Sequence, residues 1–284
     1  MTIVVAGDVM ADVVVALSGP VAYGSDTPAR IAHRGGGAAA NLAVWLTRAG
    51  APVHLVGRVG DDPAGRAVAE ELRAAGVGGT LQVDGGLATG TCVVLVEPGG
   101  ERSMLPDAGA NAALAPTPLP PGAAHLHVAG YALLRPGSRA AALALLSAAR
   151  AAGVPVSVDP SSAAPLARAP GFLEWVAGAA LLLPNRAEAA VLAGTADVEA
   201  AARALTAHGG EVVVKLGAEG ALWTDGATLL HVPATPVAAA DSTGAGDAFA
   251  AGLLAARLRG AAPAEALAAG CALAGRAVAR AGAR

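Results

Sequence analysis

Seven consecutive residues, Asp241-Ser242-Thr243-Gly244-Ala245-Gly246-Asp247, lead directly into an apolar stretch of helical character. Glycines at a helix start let the backbone approach an anion closely, and the free N–H groups and dipole of the first turn stabilise negative charge there. Gly244, Ala245 and Gly246 are therefore suited to holding a phosphoryl group during its transfer. Asp247, at the same mouth, is placed to accept the proton of an attacking hydroxyl. Phosphoryl transfer asks a protein mainly for such positioning and charge stabilisation. The alternative reading is an ordinary aspartate N-cap beside a glycine turn. The sequence contains neither a Walker A string nor a protein-kinase glycine loop, so a phosphate site would have to be this one.

The elements that must position these residues alternate along the chain. Short β-branched runs at Ile3–Ala6, Val53–Gly57, His125–Ala129, Val154–Val158, Leu181–Leu183 and Val212–Leu216 read as strands. Between and after them, Ala38–Ala49, Pro63–Ala75, Ser138–Ala152, Arg186–Ala193, Val198–His208, Ala245–Arg259 and Pro263–Arg280 read as helices. Strands apolar on both faces and separated by helices indicate an α/β fold with a doubly wound, mostly parallel sheet. One domain over residues 1–284 is expected. Residues 12–34 and 80–106 lack helical periodicity and contain turn signals such as Pro98-Gly99-Gly100. They read as two insertions that form a small β lid, or else as a pair of surface hairpins. In such sheets ligands bind beyond the carboxyl ends of the strands, where Asp8, Asp12, Asp159, Asn185 and Gly217 fall.

The string at 241–247 resembles the second signature of the ribokinase, or PfkB, family of carbohydrate kinases. The family's N-terminal signature is similar to Gly36-Gly37-Ala38-Ala39-Ala40-Asn41, then Gly50, then Val56-Gly57-Arg58-Val59-Gly60-Asp61-Asp62 and Gly65. Asn185-Arg186-Ala187-Glu188 and Leu216-Gly217-Ala218-Glu219-Gly220 extend the likeness over essentially the whole chain. The resemblance implies a ribokinase-like fold and ATP-dependent phosphorylation of a primary hydroxyl on a small sugar or sugar-like substrate. It implies Asp247 as base and Gly244, Ala245 and Gly246 as anion hole. Asp12, Gly36, Gly37 and Asn41 match positions that grip substrate hydroxyls. Asn185 and Glu188 match a motif that positions Mg²⁺ and phosphate, partly through water. Gly217, Ala218 and Gly220 match the turn against which the nucleotide lies, and Cys271 falls near the expected adenine pocket. Asp241 matches an organiser of a monovalent cation site, K⁺ in particular, which several family members have. Lys215 either reaches a phosphate or caps its strand in solvent, and Glu188 is either a metal ligand or a solvated helix-face carboxylate.

Composition removes several other classes. Hydrophobic residues make up 54% of the 284, yet no apolar run reaches the roughly 18 to 20 residues of a membrane span. The first apolar run is broken by Asp8 and Asp12 and has no basic leader, so it does not read as a signal peptide. A cytoplasmic protein without a membrane partner is expected. A net charge of −3 without clustered Lys and Arg argues against nucleic acid. Cys92 and Cys271 match no metal or redox spacing. His125 and His127 share a strand face without a third ligand nearby and read as core or solvent residues. Asp159-Pro160-Ser161-Ser162 departs from the Asp-Pro-Asn-x-Arg form of some fructokinase-like and ketodeoxygluconate-kinase-like relatives, which weakens an assignment to those groups. Two alternatives stay open, a nucleoside kinase of the same family and a catalytically silent sugar- or nucleotide-binding regulator. Few aromatics in the lid segments tilt the reading towards a simple sugar, and an exposed lid strand is suited to pairing in a homodimer.

Overall fold

The protein is described from a computed structural model covering residues 1–99, 101–238, 241–279 and 282–284. The strands, in chain order, are β1 (Thr2–Ala6), β2 (Met10–Leu17), β3 (Ala29–Gly36), β4 (Val53–Gly60), β5 (Gly78–Asp84), β6 (Thr91–Val96), β7 (Arg102–Asp107), β8 (Ala123–Ala129), β9 (Val156–Asp159), β10 (Ala179–Leu182), β11 (Gly209–Lys215), β12 (Ala221–Thr224) and β13 (Leu229–Val232). The helices are α1 (Ala38–Arg48), α2 (Pro63–Ala74), α3 (Tyr131–Leu134), α4 (Pro136–Ala151), α5 (Ala163–Leu166), α6 (Phe172–Val176), α7 (Arg186–Ala193), α8 (Val198–Leu205), α9 (Ala245–Leu258) and α10 (Pro263–Val278).

The main sheet runs β13-β12-β11-β10-β9-β8-β1-β4-β5, parallel from β11 to β5 and antiparallel in the β12–β13 hairpin. Side chains alternate between the faces of a strand, and β1 shows what that does here. Ile3 and Val5 enter one core, with Trp45 of α1 and Phe249 and Leu253 of α9. Val4 and Ala6 enter the other, with Leu126 of β8 and Leu145 of α4. Covering both faces leaves no solvated side to this strand, which explains its continuous apolar run. The alanine-rich composition has a packing consequence in α9 and α10. A Cβ at Gly252 would stand 2.5 Å from the Ala269 carbonyl oxygen, and one at Gly270 would stand 2.8 Å from the Phe249 ring. Only small residues admit so close an approach.

The second sheet, β3-β2-β6-β7, is the lid. Its outer pairs are antiparallel and its central pair, β2 with β6, is parallel. Its boundaries differ from those expected at 12–34 and 80–106. The first lid strand already begins at Met10, and residues 80–84 belong to β5 at the edge of the main sheet, in register from His54↔Gly78 to Gly60↔Asp84. Gly78 and Gly79 hide that strand, because a glycine start gives no alternating pattern to read. The hairpin β12–β13 was also absent from the expected elements, although its Asp225-Gly226 turn is a hairpin signal. In turn, the helix expected over Pro263–Arg280 ends at Val278, and Arg280 lies outside the described residues.

Candidate active site

The carboxyl ends of β8, β9, β10 and β11 open on one cleft of about 180 Å³, lined among others by Asp159, Asn185, Glu188, Lys215, Gly244 and Asp247. A larger cavity of about 290 Å³ lies at the opposite strand ends, against Met1, Leu254 and Arg257. The smaller cleft is the one that gathers the groups able to do chemistry, and it lies where open α/β sheets bind ligands.

Asp247 stands in the first turn of α9. The turn begins at Gly244, whose φ of 73° is left-handed and whose Cβ, if present, would be 2.3 Å from the Ala283 carbonyl oxygen. A side chain there would face both backbone strain and a clash, so the glycine is required by geometry. No side chain caps the helix start, and the N–H groups of a first turn have no acceptor inside their own helix. That of Ala245 makes a long bond of 3.3 Å to the Ser242 carbonyl oxygen, and those of Gly246 and Asp247 remain available to an anion. Asn41 Nδ2, from α1, donates to Asp247 Oδ2 at 3.0 Å. Burial pushes the Asp247 carboxyl up to about 7, with Asp159 adding to the rise and the Asn41 bond and Lys215 opposing it. A carboxyl that titrates near neutrality is matched to proton transfer there.

Opposite Asp247, Lys215 at the end of β11 forms a buried ion pair with Asp159 at the end of β9. Burial works against the ammonium charge, but Asp159, Glu188 and Asp247 outweigh it and raise the Lys215 pKa. The ammonium therefore stays charged and faces the cleft; the reading of Lys215 as a solvated strand cap does not hold. Glu188 is 1% exposed, which removes the solvated-face reading. Its carboxylate accepts from the Asn185 backbone N–H at 2.8 Å and from Asn185 Nδ2 at 2.7 Å, while Asn185 Oδ1 accepts from the Glu188 N–H at 2.9 Å. This reciprocal cap starts α7. Burial, then the Asp159 charge, raise the Glu188 pKa.

On the lid side, Asp12 is the third residue of β2 and is buried against Gly36 of β3. A Cβ at Gly36 would lie 2.3 Å from the Asp12 carboxyl, and at Gly37, φ 93°, 2.4 Å from the Asp8 carbonyl oxygen. The glycine pair thus lets the lid strand and the start of α1 come together. Burial pushes Asp12 up to about 6, against the nearby Arg284 charge and with that of Glu71. Asn41 Oδ1 is buried without a hydrogen-bond partner. Asp241 accepts from the N–H groups of Thr243 and Gly282, both at 2.7 Å.

The structure thus brings together Asp247, Gly244, Gly246, Asn185, Glu188 and Lys215 around one cleft, with Asn41 joining it to the Asp12–Gly36–Gly37 corner. Gly217, Ala218 and Gly220 form an exposed-to-buried turn after β11, outside the residues lining that cleft. Cys271 is packed in the core of α10, its Sγ 3.9 Å from the Val232 carbonyl oxygen. Sequence reasoning assigned no role to His127, Tyr131 and Ser161, which also line the cleft. Ser161 has φ 75°, a strained backbone of the kind found at ligand sites, and the sequence marked it only as part of the Asp159-Pro160-Ser161-Ser162 string. His127 and His125 share the Ser157 hydroxyl, at 2.9 and 2.8 Å. Among the described residues no group of three His, Cys, Asp or Glu side chains is arranged to hold a metal ion.

The sequence matches the model of the pfkB family carbohydrate kinases over residues 2–284. The chain belongs to the PfkB family of carbohydrate kinases. A fructokinase of Klebsiella pneumoniae is 36% identical over 245 residues, 81% of this chain and 79% of the relative. The fold matches Arabidopsis thaliana ribokinase complexed with ribose and ATP at a TM-score of 0.84 and 27% identity, over 99% of this chain and 93% of the other. It also matches a fructokinase double mutant from Vibrio cholerae O395, in a fructose-, ADP- and potassium-bound form, at 0.81 and 27%, over 99% and 93%. The ribokinase-like architecture expected from the two signatures is the one observed. The fructokinase likeness stands beside the departure at Asp159-Pro160-Ser161-Ser162, so that string is no bar to similarity with fructokinases. Among the described residues no helix is long and apolar enough to cross a membrane.

Proposed function

We propose that this carbohydrate kinase transfers the γ-phosphoryl group of ATP to a primary hydroxyl of a small sugar or sugar-like substrate. The observation that carries the reading is Asp247, with its pKa near 7, at the uncapped start of α9 and in the same cleft as the charged Lys215. Asp247 takes the proton of the attacking hydroxyl as the new P–O bond forms. The bond from the γ-phosphorus to its bridging oxygen breaks, and ADP leaves with that electron pair. The N–H groups of Gly244, Ala245 and Gly246, with the α9 dipole, stabilise the charge on the transferred group. Lys215 faces the same charge, and Asp159 holds the ammonium in place. Gly217, Ala218, Gly220 and Cys271 form the nucleotide side, and Asp12, Gly36, Gly37 and Asn41 hold the sugar. The partnerless Asn41 Oδ1 supports that assignment, because a buried acceptor left unpaired costs about 1–3 kcal/mol and a substrate hydroxyl would satisfy it.

The donor set also fits Mg²⁺, which keeps much of its water and needs few protein carboxylates. Glu188, held by Asn185, would hold it through water, with Asp159 facing the same space. Bound there, Mg²⁺ would neutralise phosphate charge. The family likeness points to Asp241 for a monovalent cation, but there Arg102 already pairs with the carboxylate. Closure of the lid would exclude water as a competing acceptor. The chemistry suits the cytoplasm, where ATP is abundant. A homodimer would form through the lid, whose edge strands expose Ile31, Met104 and Leu105.

A nucleoside substrate is less well served. None of the four lid strands carries an aromatic residue, and Tyr23, in the loop between β2 and β3, is 97% exposed. A charged Lys215 and an Asp247 tuned towards neutrality argue against a silent binding protein. The test is ADP release with ribose, fructose, a ketodeoxy sugar acid, adenosine and fructose 6-phosphate side by side. A best kcat/KM for a free sugar or sugar acid is expected. Preference for adenosine or for the phosphosugar would overturn the substrate assignment, and no ADP release with any of them would overturn the kinase reading.

A further inference from the structure

Arg102 opens β7, the edge strand of the lid, yet its side chain reaches the loop before α9. Its Nη1 lies 2.5 Å from Asp241 Oδ1 and donates to Thr243 Oγ1 at 2.8 Å. Both charged side chains are largely withdrawn from water, at 16% and 13% exposure. Asp241 also accepts from two backbone N–H groups, that of Thr243 on Oδ1 and that of Gly282 on Oδ2. An alkali cation needs several oxygens to replace its water shell. Here the carboxylate oxygen that faces the lid already carries a guanidinium. A second unit positive charge about 4 Å from the first would be disfavoured by about a thousandfold at the effective dielectric of a protein surface. The described residues around Asp241 therefore do not fit a potassium ion while Arg102 is in place.

We propose that Arg102 supplies from the lid the positive charge that a monovalent cation would otherwise bring to Asp241, so that turnover does not depend on potassium. The consequence for turnover rests on the kinase reading above; the contact itself does not. Arg102 acts as a positioning residue. Thr243 immediately precedes Gly244, and the loop is fixed on its other side by Gly282 on Asp241 and by Ala283 against Gly244. Ala283 is itself held by Trp45, whose Nε1 donates to its carbonyl oxygen at 3.0 Å. One side of the anion loop is thus tied to the body of the fold, and the other to the lid. Closing the lid seats Arg102, and seating Arg102 sets the direction of the Gly244–Gly246 N–H groups. A free cation would balance the Asp241 charge whether the lid is open or shut; an arginine on β7 balances it only when shut.

The test compares potassium chloride with N-methylglucamine chloride at matched ionic strength, using the full chain. ADP release is measured with the best sugar of the panel, and thermal unfolding midpoints are measured without substrate. The wild-type protein is expected to give the same kcat/KM and the same midpoint in both salts. Arg102→Met is expected to lose roughly ten- to a hundredfold in kcat, the worth of one charge-assisted hydrogen bond. It is also expected to regain much of that in potassium alone, with a potassium-specific rise in its midpoint. Arg102→Lys keeps the charge and should remain indifferent to the salt. Potassium activation of the wild type overturns the proposal. So does a folded Arg102→Met protein that keeps its rate, or one whose loss potassium does not restore. If no sugar turns over, the kinase reading falls, and the midpoints still decide the contact: a wild-type midpoint raised specifically by potassium would overturn it.

Discussion

Asn41→Ala removes a donor from the carboxylate that carries the chemistry, and its effect can be worked from the geometry. Asn41 Nδ2 donates to Asp247 Oδ2 at 3.0 Å and lowers a carboxyl that burial has raised to about 7. A hydrogen bond to a charged group contributes roughly 1.5–3 kcal/mol. At about 1.4 kcal/mol per unit, its loss should lift the Asp247 pKa by about one to two units. Asp247 acts ionised, and its pKa is shifted upwards, so activity is lost as pH falls through that value. The acid limb of kcat/KM should therefore move from about 7 in the wild type to about 8–9 in the variant. At pH 7 the variant should run at about a tenth to a hundredth of its own plateau and recover in mildly alkaline buffer. Asn41 also faces the sugar corner, so KM should rise. That loss is independent of pH and cannot by itself move the limb. ADP release across the pH range separates the two effects, and an unmoved limb would refute the proposed coupling of Asn41 to Asp247.

Three other perturbations probe separate parts of the site. Asp12→Ala should weaken sugar binding by roughly 10- to 150-fold, the worth of one charge-assisted hydrogen bond, and spare nucleotide binding; calorimetry giving an unaltered sugar Kd would move the substrate site elsewhere. Glu188→Gln should raise the Mg²⁺ concentration needed for half-maximal rate without altering sugar affinity, because it removes the charge from a carboxylate 1% exposed; an unchanged Mg²⁺ titration would leave Glu188 only its role in capping α7. Asp12 and Asp247 have folded pKa values of about 6 and 7, above their ordinary 3.8, so their contribution to stability is full below about 4 and is lost as pH rises through 6 and 7. Asp12→Asn and Asp247→Asn should flatten that fall in thermal midpoint over the same window, and a slope equal to the wild type's would contradict the assigned burial.

What was legible in the sequence and what was not follow from how each feature is encoded. The parallel core strands were readable because both of their faces are buried, so Ile3–Ala6 is apolar without interruption. The anion loop was readable because Gly244 must adopt φ 73° against Ala283, and a geometric demand of that kind leaves a glycine in the sequence. The Asp62 signature was equally visible, and it has a structural role: Asp62 caps α2 through Gly65 and binds both the N–H and the hydroxyl of Thr89. The Lys215–Asp159 pair was visible only as two strand ends, because their meeting depends on the order β9-β10-β11, which no local pattern records. The contact of Arg102 with Asp241 was further out of reach, since it requires the lid to lie over the loop. Asp12 was placed after the first strand, at the start of the lid insertion, whereas it lies within β2, which already begins at Met10.

Asp247→Asn tests the central claim most directly. The amide keeps the shape of the carboxyl and cannot take the hydroxyl proton. With folding checked by circular dichroism and both ligands titrated by calorimetry, the variant should bind ATP and sugar as the wild type does. Its kcat for ADP release should fall by about 10²–10⁴-fold, the usual worth of a positioned general base, and the residual rate should show no acid limb near neutral pH. A kcat close to that of the wild type, or a residual rate that keeps the limb, would mean that the proton goes to another group and that Asp247 is not the base.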